Sequence, residues 1–177
     1  MLIDKYLKDF DFRKYHSRDI RAGAQDVHAA IETADFYQSK VIRLLFALRG
    51  LPDDMFSPEG FSKVGIMELE KKEGQESVLG AIFNPIGFRP VWVTPEEYRK
   101  FEGKGYVKVA MNLLVTGIDD NCSLLSSETR VRCTSLRARV AFTPYWLLMN
   151  RSIGLVRTMM LRRIQQEAEK AVPAARS

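Results

Sequence analysis

Two long runs of β-type alternation, Tyr106–Ile118 and Cys122–Thr134, are joined by only three residues, Asp119-Asp120-Asn121, and feed a helical tail of roughly forty residues. So short a polar connection obliges the two runs to pair as an antiparallel hairpin. A lone hairpin is marginal in water, so this one must join a wider sheet and bury a face. The tail that follows is the nearest long apolar surface. The pattern therefore predicts an antiparallel sheet gripping a C-terminal helix.

Along the first run the odd positions Val107, Val109, Met111, Leu113 and Val115 are all apolar, whereas the even positions include Tyr106, Lys108, Asn112 and Thr116. Such alternation predicts one dry face and one wetter face. The second run sets Leu125, Ser127, Thr129, Val131 and Cys133 on one side and Glu128, Arg130 and Arg132 on the other. The first of these sets is small and mildly apolar, which leaves room beneath a facing helix.

In the tail, Ser135 is placed to cap a helix. Pro144 suits a first turn better than an interior, and Asn150-Arg151-Ser152-Ile153-Gly154 is a second weak point, so a kink or break is expected. The second half puts Ile153, Val156, Met159, Met160, Ile164 and Ala168 on one stripe, with Arg162, Gln165 and Glu169 opposite. That stripe needs burial, and the dry face of the hairpin is its expected partner.

Upstream, Phe10–Ala22 reads as a strand and Gln25–Thr33 as a short helix. Asp35 and Gln38 form a capping-box pattern that opens a second helix through about Leu48, stopped by Gly50-Leu51-Pro52. Ser57-Pro58-Glu59-Gly60 is a turn. Phe61–Glu70 and Glu76–Asn84 form a hairpin around residues 71–75, and a brief strand follows at Pro90–Val93. Thr94-Pro95-Glu96-Glu97 carries a complete helix start, which specifies a short helix through Phe101.

At 177 residues, 46% hydrophobic and 28% charged, the chain is expected to form one domain over 1–177 with a substantial core. The first residues lack the apolar stretch of a signal peptide, and no apolar run is long enough to span a bilayer, so a cytoplasmic address is expected. Cys122 and Cys133 sit too far apart on one strand to bond each other, at about 3.3 Å per residue. With only His16 and His28 beside them, a Cys/His metal site is not expected. Charge is uneven: residues 130–177 carry net +8 against −3 for the rest. These arginines alternate with apolar residues, which fits a solvated helix face better than a nucleic-acid surface; docking to an anionic membrane or protein is the less favoured use. No nucleophile elbow, phosphate-binding loop or dinucleotide fingerprint occurs, so neither cofactor nor nucleic acid is expected.

The order strand, two helices, hairpin, long strands and long helix resembles the START-like helix-grip superfamily, which includes the polyketide cyclase/dehydrase and lipid-transport group. The resemblance is carried by His16-Ser17-Arg18-Asp19-Ile20, by Gly105-Tyr106-Val107-Lys108 and by Leu124–Thr134. Tyr145-Trp146-Leu147-Leu148 and Ser152-Ile153-Gly154-Leu155-Val156-Arg157 add to it. It points to a bacterial branch and brings a fold and a ligand class but no reaction. What it implies is an α+β fold: a curved antiparallel sheet of six to seven strands around a long kinked helix, with two short helices after the first strand. It further implies an apolar tunnel for a lipid-, sterol- or polyketide-like molecule.

The expected partner is therefore a small hydrophobic molecule held between sheet and helix by Met111, Leu113, Val115, Leu125, Trp146, Val156, Met159 and Met160. Glu128 and Arg130, two residues apart on one strand face, are candidate polar anchors if they point inward; outward, they are a solvated ion pair of little value. A cyclase- or hydratase-type enzyme in the same cavity is the alternative. It needs inward-facing titratable groups, with Glu128, Arg130, Tyr98 and Tyr106 as candidates. His16 and His28 lack partner motifs and read as surface residues. Oligomeric state and ligand identity leave no trace in the sequence.

Overall fold

The computed structural model describes residues 1–34, 60 and 63–171. In chain order these form α1 (Ile3–Tyr6), β1 (Phe12–Ile20), α2 (Ala24–Thr33), β2 (Ile66–Lys72), β3 (Glu76–Asn84), β4 (Arg89–Val91), α3 (Pro95–Lys100), β5 (Val107–Asp119), β6 (Cys122–Cys133) and α4 (Leu136–Ala171). The helix expected from Asp35 to Leu48, and the turn after it, lie outside the described residues. The fold is α+β: an antiparallel sheet of six strands and a long bent C-terminal helix. The strands run β1-β6-β5-β3-β2, and β4 pairs with the far end of β3.

Local chemistry explains the boundaries. Thr94 and Glu97 form the reciprocal cap of α3: Glu97 N–H donates to Thr94 Oγ1, and Thr94 N–H donates to Glu97 Oε2 at 2.7 Å. At the β5–β6 turn Asn121 N–H donates to Asp119 Oδ1 at 2.8 Å, and only Asp120 and Asn121 lie between the paired residues Asp119 and Cys122. Gly74 closes the β2–β3 hairpin at φ +70°, a conformation that side chains resist. β2 begins at Ile66, later than the expected Phe61, because the chain is still turning at Val64 and Gly65. Ser135 caps α4 through Ala138 N–H. Pro144 sits inside α4 without ending it; a missing donor there bends a helix that packing on the sheet holds together.

The sheet has two differently built faces. On the inner face α4 crosses β1 and β6, and apolar clusters close both ends of the contact. One joins Ile20, Val27, Val115, Leu125, Leu161 and Ile164; the other joins Val107, Val131, Phe142 and Trp146, with Phe12 packed against them. Each such large side chain, fully buried, contributes about 1.5–3 kcal/mol.

The outer face departs from the wet surface read in the sequence. Here α1 and α3 lie over it, with Ile3, Leu7 and Tyr98 packed on Leu69, Val78, Ile82 and Ala110. Lys108, Asn112, Glu128 and Arg130 are consequently buried. Glu76 accepts hydrogen bonds from Leu2 N–H and Asn112 Nδ2, so one carboxylate ties the start of α1 to the sheet. Glu128 Oε1 accepts from Arg13 Nε and Arg130 Nε, both at 2.7 Å, while Arg130 Nη1 reaches Asp4 Oδ1 at 2.7 Å and the Leu7 carbonyl at 3.0 Å.

Burial pushes the Glu128 carboxyl up, but the hydrogen bonds from Arg13 and Arg130 outweigh it and hold it below its ordinary value of 4.5. A lowered folded pKa means this stabilisation is complete above pH 4.5 and is lost as pH falls through the folded value. Arg130→Ala should cost about 3–5 kcal/mol, since it leaves a buried carboxylate with one partner. Urea unfolding at pH 7 reads the loss, and wild-type stability should decline below pH 4.5. A loss under about 1 kcal/mol would show that α1 does not depend on this pair.

Candidate functional site

Between the two packed ends, the middle of the inner face is left incompletely covered. Strand register aligns Leu79, Met111, Thr129 and Lys14 in one row across β3, β5, β6 and β1, and Ser77, Leu113, Ser127 and His16 in the next. Val109, Met111 and Leu113 keep accessible surface here, although Val107 and Val115 on the same strand face are buried. This half-buried stretch between the two clusters, with Met111 at its centre, is the candidate hollow.

α4 completes this region from above. Arg157 reaches down over the first row, where Nη2 lies 2.9 Å from Met111 Sδ and 3.4 Å from Thr129 Oγ1. A thioether and a hydroxyl are weak acceptors for a guanidinium with five donors. Among the described residues no carboxylate pairs with it. Burial pushes the Arg157 pKa down to about 10, yet the side chain is not closed off and keeps some accessible surface. One turn back, the helix passes directly over β1: a Cβ added to Gly154 would lie 3.4 Å from both His16 Nε2 and Lys14 Cε.

Lys14, His16 and Arg157 thus converge on one side of the hollow. Burial, and then the positive charges of Lys14 and Arg157, hold His16 below its ordinary pKa of 6.5, so it is neutral at pH 7. The result is an apolar floor with a cationic side. No group of three His, Cys, Asp or Glu among the described residues is placed to hold a metal ion.

The candidate ligand residues from the sequence are distributed unevenly. Met111 and Leu113 line the open middle, and Val156 and Met160 are buried on α4. Val115 and Leu125 belong to one packed end and Trp146 to the other, while Met159 is half-buried. Glu128 and Arg130 face away from α4, 1% and 7% exposed under α1, in neither the pocket-facing nor the solvated arrangement weighed for them. Tyr98 is buried on that same outer side, its hydroxyl donating to the Val109 carbonyl at 2.9 Å, and Tyr106 stacks edge-on against Phe101.

Arg157 and Lys14 were not singled out by the sequence. A signal did exist for the first: Arg157 falls four residues after Ile153 and seven before Ile164, a charged residue on the stripe that must bury. His16 was read as a surface histidine, and lies instead half-buried beneath α4.

No protein-family model matches the chain, and a comparison with curated proteins gives no match. Solved structures of similar shape exist. A conserved protein from Geobacillus kaustophilus aligns at TM-score 0.45 and 11% identity, over 90% of this chain and 97% of that one. A truncated norcoclaurine synthase from Thalictrum flavum gives 0.40 and 12%, over 88% and 91%. The Zhui aromatase/cyclase from Streptomyces sp. R1128 gives 0.36 and 12%, over 94% and 98%. At these values the likeness bears no weight for activity or for a fold family. No helix among the described residues is long and apolar enough to cross a membrane.

A buried cation with no counter-charge is a net cost to the protein that carries it. Arg157→Met should therefore stabilise the ligand-free protein by about 1–3 kcal/mol, seen as a Tm higher by several degrees. A lowered Tm would mean that the protein itself already compensates the charge.

Proposed function

We propose that this protein binds a small hydrophobic molecule, lipid-, sterol- or polyketide-like in character, between the inner sheet face and α4. One observation carries the reading. Met111 lies between two packed clusters and belongs to neither, and Val109 and Leu113, which pack against the clusters on either side of it, also keep accessible surface. Apolar surface left uncovered inside a fold forgoes roughly 25 cal/mol per Å², and a fold that merely needed stability would close on it. An apolar ligand covering about 300 Å² there would gain roughly 7 kcal/mol before the costs of ordering it. Methionine on the floor suits such a ligand, because a thioether chain adapts its shape.

The role is one of holding or carrying. The cyclase- or hydratase-type alternative drew on Glu128, Arg130, Tyr98 and Tyr106, and these side chains lie on the far side of the sheet in structural contacts. A neutral His16 is the remaining titratable group near the hollow that could move a proton, and no described carboxylate orients it.

Native mass spectrometry of protein purified without detergent or denaturant should show a bound apolar adduct that organic extraction removes. Leu113→Trp should fill the hollow and abolish the adduct while leaving a cooperative thermal transition. A wild-type protein that neither carries an adduct nor takes up decanol when offered it would end this reading.

A further inference from the structure

The three cations at the hollow deepen the proposal above, on which this inference rests. We infer that the ligand is an amphipathic acid: an apolar body on Met111 and Leu113, with a terminal oxyanion held by Arg157 and Lys14.

Two arginines on opposite faces of the sheet, Arg130 buried and Arg157 half-buried, give the contrast that decides it. Arg130, on the outer face, is paired with Glu128 and Asp4 and accepted by the Leu7 carbonyl, so its charge is answered within the fold. Among the described residues Arg157 has Met111 Sδ and Thr129 Oγ1, both reached through a single nitrogen. Its other donors keep access to solvent and are open to a ligand. A guanidinium presents a planar fork that matches the two oxygens of a carboxylate or phosphate, which is the acceptor geometry missing from its surroundings.

Position agrees with chemistry. Arg157 lies over the row formed by Met111, Thr129 and Lys14, and the Lys14 and His16 tips lie beneath Gly154, one turn earlier on α4. An oxyanion lying against Arg157 would thus meet Lys14 on the β1 side and the apolar floor on the β5 side. Among the described residues Lys14 has no carboxylate partner in this region. The positive charges of Lys14 and Arg157 both act on His16 and help to lower its pKa. An added negative charge would reverse that influence and raise the His16 pKa, so binding should take up a proton near neutral pH.

Carboxylate and phosphate heads share this recognition chemistry, and titration with decanoate, monodecyl phosphate and 1-decanol separates the options. Calorimetry at pH 7.5 and low salt should show one or both acids binding at least about tenfold tighter than the alcohol, a difference worth roughly 1.4 kcal/mol. Whichever acid binds tighter identifies the head group. Arg157→Met should reduce that preference to under about threefold, and Lys14→Met should reduce it in part. Histidine resonances should report a higher His16 pKa in the acid-bound protein.

Acid and alcohol binding equally well to the wild type would overturn the inference and leave the apolar-ligand reading standing. A preference that survives in both variants would overturn the assignment to these cations. Failure of all three probes to bind would remove both proposals together.

Discussion

The pairing of β5 with β6 is the constraint from which the rest of the molecule follows. These strands of thirteen and twelve residues are paired from Val107–Cys133 to Asp119–Cys122, with one irregularity near Ile118. Because side chains alternate with period two, this register fixes every residue on both strands to one of two faces at once. Ser127, Thr129 and Val131 are committed to α4, and Ser126, Glu128 and Arg130 to α1. A slip of one residue would send the Glu128–Arg130 pair beneath α4 and the small hydroxyls beneath α1. Neither face would then be satisfied.

The faces solve opposite problems with similar residues. The outer one buries charge and answers it: Glu76 accepts from the start of α1, and Glu128 stands between two guanidinium groups. The inner one buries hydrocarbon at its ends and leaves its centre short of partners. Charge alone does not set the two faces apart, since each carries an arginine at least half-buried against the sheet. The acceptors around each do.

Much of the architecture was legible in the sequence because it rests on local signals. Thr94-Pro95-Glu96-Glu97 specified α3, alternation specified β5 and β6, and Ser135 marked the start of α4. α1 was not legible. Four residues cannot hold a helix by propensity, and what holds this one is Glu76, far along the chain. For the same reason the outer face was misread as wet, since Lys108, Asn112 and Glu128 look like surface residues until α1 and α3 cover them. The site was half legible. Met111 and Leu113 follow from alternation, but the cations come together only through the pairing of β1 with β6 and the passage of α4 above them. The first half of α4 hid its direction too, because Leu136, Val140, Leu147 and Leu148 are exposed and blur any apolar stripe.

Gly154 sets two demands on α4 against each other. Glycine within a helix is worse than alanine by about 1 kcal/mol, and the gap to His16 and Lys14 would admit a methyl group at ordinary contact distance. Alanine there would firm the helix and at the same moment clamp the ends of both basic side chains against it. The bare backbone at this crossing leaves that space unfilled, so helix stiffness and room for the two basic tips compete at a single α-carbon.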